Sequence, residues 1–169
     1  DIYLSVFNNP HEFVDGFVKQ AESLNGGNGL EEGVKMGPLA HDRRLTAIEE
    51  FVADAVEKGA KIHTGGKRYG NKGYFFEPTV MTDVSNDSRI MNEEPFGPLA
   101  PISSFSSMDE VIEEANRLDY GLAAYAYTKS AKTAQELGSG IESGQVSINH
   151  HGLGLVDTPF GGVKDSGYG

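Results

Sequence analysis

The side chains of this sequence best suited to chemistry lie in Glu93-Glu94-Pro95-Phe96-Gly97-Pro98. Two carboxylates precede an aromatic, and Pro95 with the Gly97-Pro98 turn leaves the backbone around them little freedom. A carboxylate at Glu94 can accept hydrogen bonds from a pair of ligand hydroxyls, and Phe96 offers a flat apolar face beside it. The same six residues also suit a proline-bounded loop with a buried Phe and two solvated acids, because short motifs often arise by chance. An acid and base pair at Glu93 and Glu94 would need opposed environments, and neighbours on an extended loop point apart. One of the two is expected to be simply solvated.

Other chemistries fit less well. His150 and His151 are adjacent, so their side chains diverge, and the remaining three histidines lie in separate elements without H-x-x-x-H spacing. No metal site is expected. Gly161-Gly162-Val163-Lys164 lacks the spacing of a Walker A loop and does not lead into a periodic helix, which argues against a phosphate cradle. The 169 residues contain no cysteine. Disulfides, thiolate zinc sites and a cysteine nucleophile are therefore excluded within them.

The net charge of −11 argues against nucleic acid and anionic membrane surfaces as partners. No apolar run is long enough to span a bilayer, and the N-terminal residues lack the basic and apolar blocks of a signal peptide. A cytoplasmic location is expected.

The elements that must position these residues follow from periodicity. The 22 glycines and seven prolines, spread between periodic segments, suit a mixed α/β fold. Residues 1 to 7 read as a strand, and the absence of an initial Met suggests a fragment. Asn9-Pro10 signals a helix start, with Phe13, Phe17, Ala21 and Leu24 on one face, widened by Val14 and Val18. Residues 25 to 39 read as a long loop. A helix over residues 41 to 58 is expected to bury Leu45, Ile48, Val52, Ala55 and Val56.

Residues 61 to 64 and 74 to 81 are strand-like, with Pro78 marking an edge or a break. One helical turn is expected over residues 88 to 92. Strands are expected at residues 99 to 105, 123 to 127 and 145 to 149, the last with Val146 and Ile148 facing one way. Between them come a helix opened by the S-x-x-E spacing of Ser107 and Glu110, with Val111, Ile112, Ala115 and Leu118 inward, and a short helix over 130 to 137. That second helix places Ala131, Ala134 and Leu137 on one side. This alternation predicts an open, twisted, largely parallel sheet flanked by helices, with no domain linker. The glycine-dense residues 150 to 169 suit either a pocket-lining loop or a surface tail.

Taken in order, a series of segments resembles the NAD(P)-dependent aldehyde dehydrogenase superfamily. They are Met36-Gly37-Pro38-Leu39, Gly65-Gly66, residues 73 to 79, Glu94-Pro95-Phe96-Gly97-Pro98, Asn116 with Tyr120-Gly121-Leu122, residues 144 to 149, and Pro159-Phe160-Gly161-Gly162 with Ser166-Gly167. The resemblance covers essentially the whole chain and matches the C-terminal part of the family's catalytic domain. It implies that Glu94 binds the nicotinamide ribose hydroxyls of NAD or NADP and that Phe96 positions the nicotinamide. It implies that Phe160 lines the substrate pocket, with Gly154 at a nearby variable position. Arg44 falls where some members approach the cofactor, and Asn149 looks structural.

Family chemistry implies a cysteine thiolate that attacks the aldehyde, hydride loss to NAD(P), and hydrolysis of the thioester by a glutamate-activated water. The resemblance places that cysteine, the general base, the oxyanion asparagine and the dinucleotide-binding domain before residue 1. The chain alone is thus expected to be inactive, and its parent to be a homodimer or homotetramer acting on a small aldehyde. A stand-alone, non-catalytic relative acting through binding or assembly is the alternative. Residues 150 to 158 contain no Arg or Lys, which mildly disfavours an acid semialdehyde substrate.

Overall fold

The computed structural model describes residues 3–5, 10–152 and 154–169, with the backbone alone for residues 3–5. The expected strand at residues 1–2 and 6–7 and the Asn9 helix signal lie outside these. Two compact units divide at residues 104 and 105, Asp1–Ser104 and Phe105–Gly169, although no linker composition marks the boundary.

The first unit is built on a four-stranded sheet in the order β1 (Tyr3–Ser5), β4 (Leu99–Ser104), β3 (Thr79–Thr82), β2 (Lys61–Thr64). The β1–β4 and β3–β4 pairs are parallel, whereas β2 runs antiparallel to β3. Pro78 proves to be a break and not an edge, since β3 begins at the next residue and lies inside the sheet. A proline just outside the ladder removes no ladder donor.

Period-two alternation sends neighbouring residues of β3 to opposite faces. Val80 joins Ile102, Val14 and Ala21 beneath helix α1 (Pro10–Glu22), with Phe13, Phe17 and Val18 packed at its margin. Leu24, expected on that face, lies past the helix end and is exposed. Met81 and Leu99 instead meet helix α2 (Asp42–Glu57), which buries Leu45, Ile48, Phe51, Val52 and Ala55. Each larger side chain gains roughly 1.5–3 kcal/mol from such burial. Val56, expected in this stripe, is 46% exposed, and Phe51 takes the buried place. From Ile48, three residues on stays within the stripe, while eight residues reaches its edge.

In the second unit the expected strands do not continue the first sheet. β6 (Ala123–Ala126) and β7 (Gln145–Ile148) form a parallel pair of their own, and β5 (Tyr120–Gly121) pairs with β8 (Val163–Lys164) antiparallel. Helix α3 (Met108–Asn116) precedes β5, and helix α4 (Ala131–Gly140) links β6 to β7. Leu118 falls beyond the end of α3, and Ala131 at the first turn of α4 is exposed. Ser107 caps α3 by accepting from the Glu110 amide at 3.1 Å, and the Glu110 carboxylate reaches back to the Ser106 amide at 2.8 Å. The capping box therefore closes one residue earlier than its spacing predicts.

Candidate functional site

The loop carrying Glu94 and Phe96 runs from a short 3-10 turn, Arg89–Met91, to the start of β4. Polar contacts along its length and one packing contact fix it, and α2 supplies most of them.

At its entrance, Arg89 forks onto Glu93, with Nε to Oε1 at 2.8 Å and Nη2 to Oε2 at 3.2 Å. The same guanidinium reaches Glu50 of α2 at 3.3 Å and lies 5.0 Å from the Phe51 ring centroid. The Arg89 amide also donates to Asp54 of α2 at 2.7 Å. The side-chain hydrogen bond from Arg89 holds the Glu93 carboxyl below the ordinary glutamate range, and in return Glu93, then Glu50, raise the Arg89 pKa. Both acids are exposed, but Glu93 is a paired anchor and, among the described residues, the Glu94 carboxylate is not engaged.

In the middle of the loop, Arg44 donates from Nη1 to the Pro95 carbonyl at 3.4 Å and stands over the Phe96 ring, 5.8 Å from its centroid. Arg44 belongs to the first turn of α2, where His41 Nδ1 caps the helix by accepting from the Arg44 amide at 3.1 Å. At the exit, Gly97 presses on Ile48, so closely that a β-carbon there would collide with the Ile48 side chain. The Leu99 amide turns back to the Gly97 carbonyl at 2.8 Å, and the Thr79 amide donates to the Pro98 carbonyl at 2.8 Å.

The anchored backbone puts Phe96 at φ +40, a left-handed conformation that costs a non-glycine residue free energy. Phe96 is 69% exposed, contrary to a buried Phe in a structural loop. Among the described residues no hydrogen bond or ion pair engages the Glu94 carboxylate. A free carboxylate beside an exposed aromatic face, on an immobilised strained loop, can accept a vicinal diol and support a flat heteroaromatic ring.

In the second unit, the Pro159-Phe160-Gly161-Gly162 segment is held from β7, where Gln145 Nε2 donates to the Pro159 carbonyl at 2.8 Å. The Gly162 amide donates to the Gly167 carbonyl at 2.8 Å. Only glycine fits at position 161, where a β-carbon would strike the Tyr168 carbonyl. Lys164, at φ +53, closes the segment by donating to the carbonyls of Asn116 and Leu118 and pairing with Glu142 at 2.7 Å. Phe160 projects from this frame with 56% exposure. Gly154 is exposed, and a β-carbon there would meet nothing within 4 Å. Asn149, at φ +56, ends β7 by exchanging side-chain hydrogen bonds at 2.9 Å with the Thr128 amide and carbonyl. Its role in this unit is structural.

The Aldehyde dehydrogenase family model matches residues 8–169. The chain belongs to the aldehyde dehydrogenase family. It is 45% identical over 158 residues to a probable succinate-semialdehyde dehydrogenase [NADP(+)] of Sinorhizobium fredii, covering 94% of this chain and 32% of that protein. It is 42% identical over 157 residues to the 3-sulfolactaldehyde dehydrogenase of Pseudomonas putida, covering 93% and 32%. The NAD+ complex structure of the aldehyde dehydrogenase from Bacillus cereus matches with a TM-score of 0.93 at 38% identity, covering 98% of this chain and 34% of that one. The chain spans about a third of the length of the curated relatives it matches.

This aldehyde dehydrogenase segment holds two features that lie outside its sequence motifs. The Arg89–Glu93 fork has i,i+4 spacing, which is legible as a charge pair. The Arg44 contact spans 51 residues and has no local signature. Among the described residues no helix is long and apolar enough to cross a membrane.

Proposed function

We propose that this chain is the C-terminal part of the catalytic domain of an enzyme that oxidises an aldehyde to its carboxylic acid with NAD or NADP. One observation carries the proposal: a Glu94 carboxylate unengaged among the described residues and an exposed Phe96 stand on a loop pinned from α2, within a chain of the aldehyde dehydrogenase family. The Glu94 carboxylate accepts from the nicotinamide ribose hydroxyls, and the exposed Phe96 ring sets the plane of the nicotinamide. NAD or NADP, when bound, supplies the hydride acceptor. Phe160 lines the pocket for the aldehyde's side chain, and Gly154 sets how much room that pocket has.

These 169 residues have no cysteine, so the nucleophile that forms the thioester lies elsewhere in the enzyme. The chain by itself is inactive, and the whole enzyme is a cytoplasmic homodimer or homotetramer. The names of the two relatives above point to short aldehydes bearing a carboxylate or sulfonate. Such an anion fits here only with a cation from outside residues 150–158, which have no Arg or Lys.

The test is NAD(P)H formation by the full-length enzyme with neutral and anionic aldehydes. Aldehyde-dependent reduction of the dinucleotide, favouring the anionic substrates, is the expected result. No reduction with any aldehyde would refute the proposal.

A further inference from the structure

We infer that Arg44 is a positioning residue for the nicotinamide platform, acting through Phe96. This rests on the proposed role of Phe96 and adds the group that holds it. Phe96 occupies a left-handed backbone conformation, and its ring is largely in solvent. A ring so placed needs an outside partner to keep one orientation.

Arg44 meets that need twice, by donating to the carbonyl of the preceding Pro95 and by lying over the ring itself. A planar guanidinium can do both at once, because its donors lie in the plane and its faces stay free for the aromatic. The position is built into α2. His41 caps the helix at the Arg44 amide, and Ile48, four residues on and fully buried, wedges against Gly97. Arg44 and Ile48 share one helix face, so α2 grips the loop on both sides of Phe96.

The contacts are weak singly, and their loss should free the ring without unfolding the sheet. Two variants of the full-length enzyme separate positioning from general support. Arg44→Met keeps much of the stem, and Arg44→Lys keeps the charge but not the planar fork.

In hydrogen exchange, Arg44→Met should speed the Leu99 and Thr79 amides, which donate to the Gly97 and Pro98 carbonyls of the loop, roughly five- to thirty-fold, the loss of one cation–π contact and one hydrogen bond. The Val80 and Met81 amides of β3 should stay protected. In kinetics, kcat should fall by a similar factor with the KM for dinucleotide little changed, and the isotope effect with a 1-deuterated aldehyde should rise as hydride transfer becomes limiting. Arg44→Lys should recover part of both.

Unchanged loop exchange, or exchange that rises equally throughout the sheet, would overturn the inference. So would wild-type kcat and isotope effect in Arg44→Met. A wild-type enzyme that reduces no dinucleotide would instead refute the proposed function, and the exchange result would then decide alone whether Arg44 holds Phe96.

Discussion

Ile48 lies directly against Gly97, and a β-carbon built on Gly97 would come within 2.9 Å of Ile48 Cγ1. Ile48 is fully buried between α2 and the sheet, so it cannot swing aside into solvent. The exit of the loop carrying Glu94 and Phe96 is therefore set by a core side chain.

Gly97→Ala is expected to destabilise the enzyme by about 1–3 kcal/mol through overpacking. Ile48→Val alone should cost about 0.5–1.5 kcal/mol. Combined, the two should cost clearly less than their sum, because the smaller side chain makes room for the new methyl. Urea denaturation of the three variants checks this. Strict additivity would show that the contact between 48 and 97 is not the cause.

Phe96→Gly should separate stability from activity. Removing the side chain at φ +40 relieves strain of roughly 1–3 kcal/mol, offset in part by glycine's extra freedom in the unfolded chain. Stability should hold or rise slightly while turnover falls. A fall in both would mean that the ring supports the fold.

Much of this arrangement is legible in the amino-acid sequence. The caps, the stripe of Leu45, Ile48, Val52 and Ala55, and the proline-bounded loop are local signals, spaced within one or two turns. The site pair Glu94 and Phe96 follows from the same local signals together with the family resemblance. What stays hidden is long-range. Arg44 over Phe96, Ile48 against Gly97 and Asp54 at the Arg89 amide join segments far apart in the chain, and no periodicity encodes them. Alternation of strands and helices also predicts one sheet. It cannot show that β4 pairs with β1 and β3 while β6 and β7 pair with each other, because alternation carries no information on partners.

Residue 154 should tune substrate range. A β-carbon there meets no atom within 4 Å and the residue is exposed, so Gly154→Leu should fold as well as the wild type. It should lower kcat/KM for longer aldehydes more than for short ones. Phe160→Ala should likewise change the ranking of aldehydes. An equal loss for every substrate would reassign Phe160 to structural support.

Acid should loosen the loop entrance. The Arg89 hydrogen bonds lower the folded-state pKa of Glu93, and the Arg89 amide and Lys58 lower that of Asp54. Carboxyls depressed on folding contribute stability that is fully present above their unfolded pKa, about 4 for these groups, and is lost as pH falls through the folded values. The Glu93 side chain is half-exposed and the Asp54 side chain partly exposed, so solvent screening keeps the contribution modest. Arg89→Met should flatten the decline of stability below about pH 4 while leaving the region near pH 7 to 8 parallel to wild type. Denaturation midpoints across that range test it, and an unchanged acid limb would remove the Arg89 network from the account.

The most direct measurement is single-turnover hydride transfer in the full-length enzyme, wild type against Glu94→Gln, with dinucleotide affinity measured alongside. The amide keeps the shape and loses the charge that, in the proposed role, the ribose hydroxyls address. Hydride transfer is expected to slow by about tenfold or more, with affinity changed only a few-fold, because placement of the nicotinamide suffers more than its binding. An unchanged transfer rate in Glu94→Gln would show that this loop does not hold the cofactor.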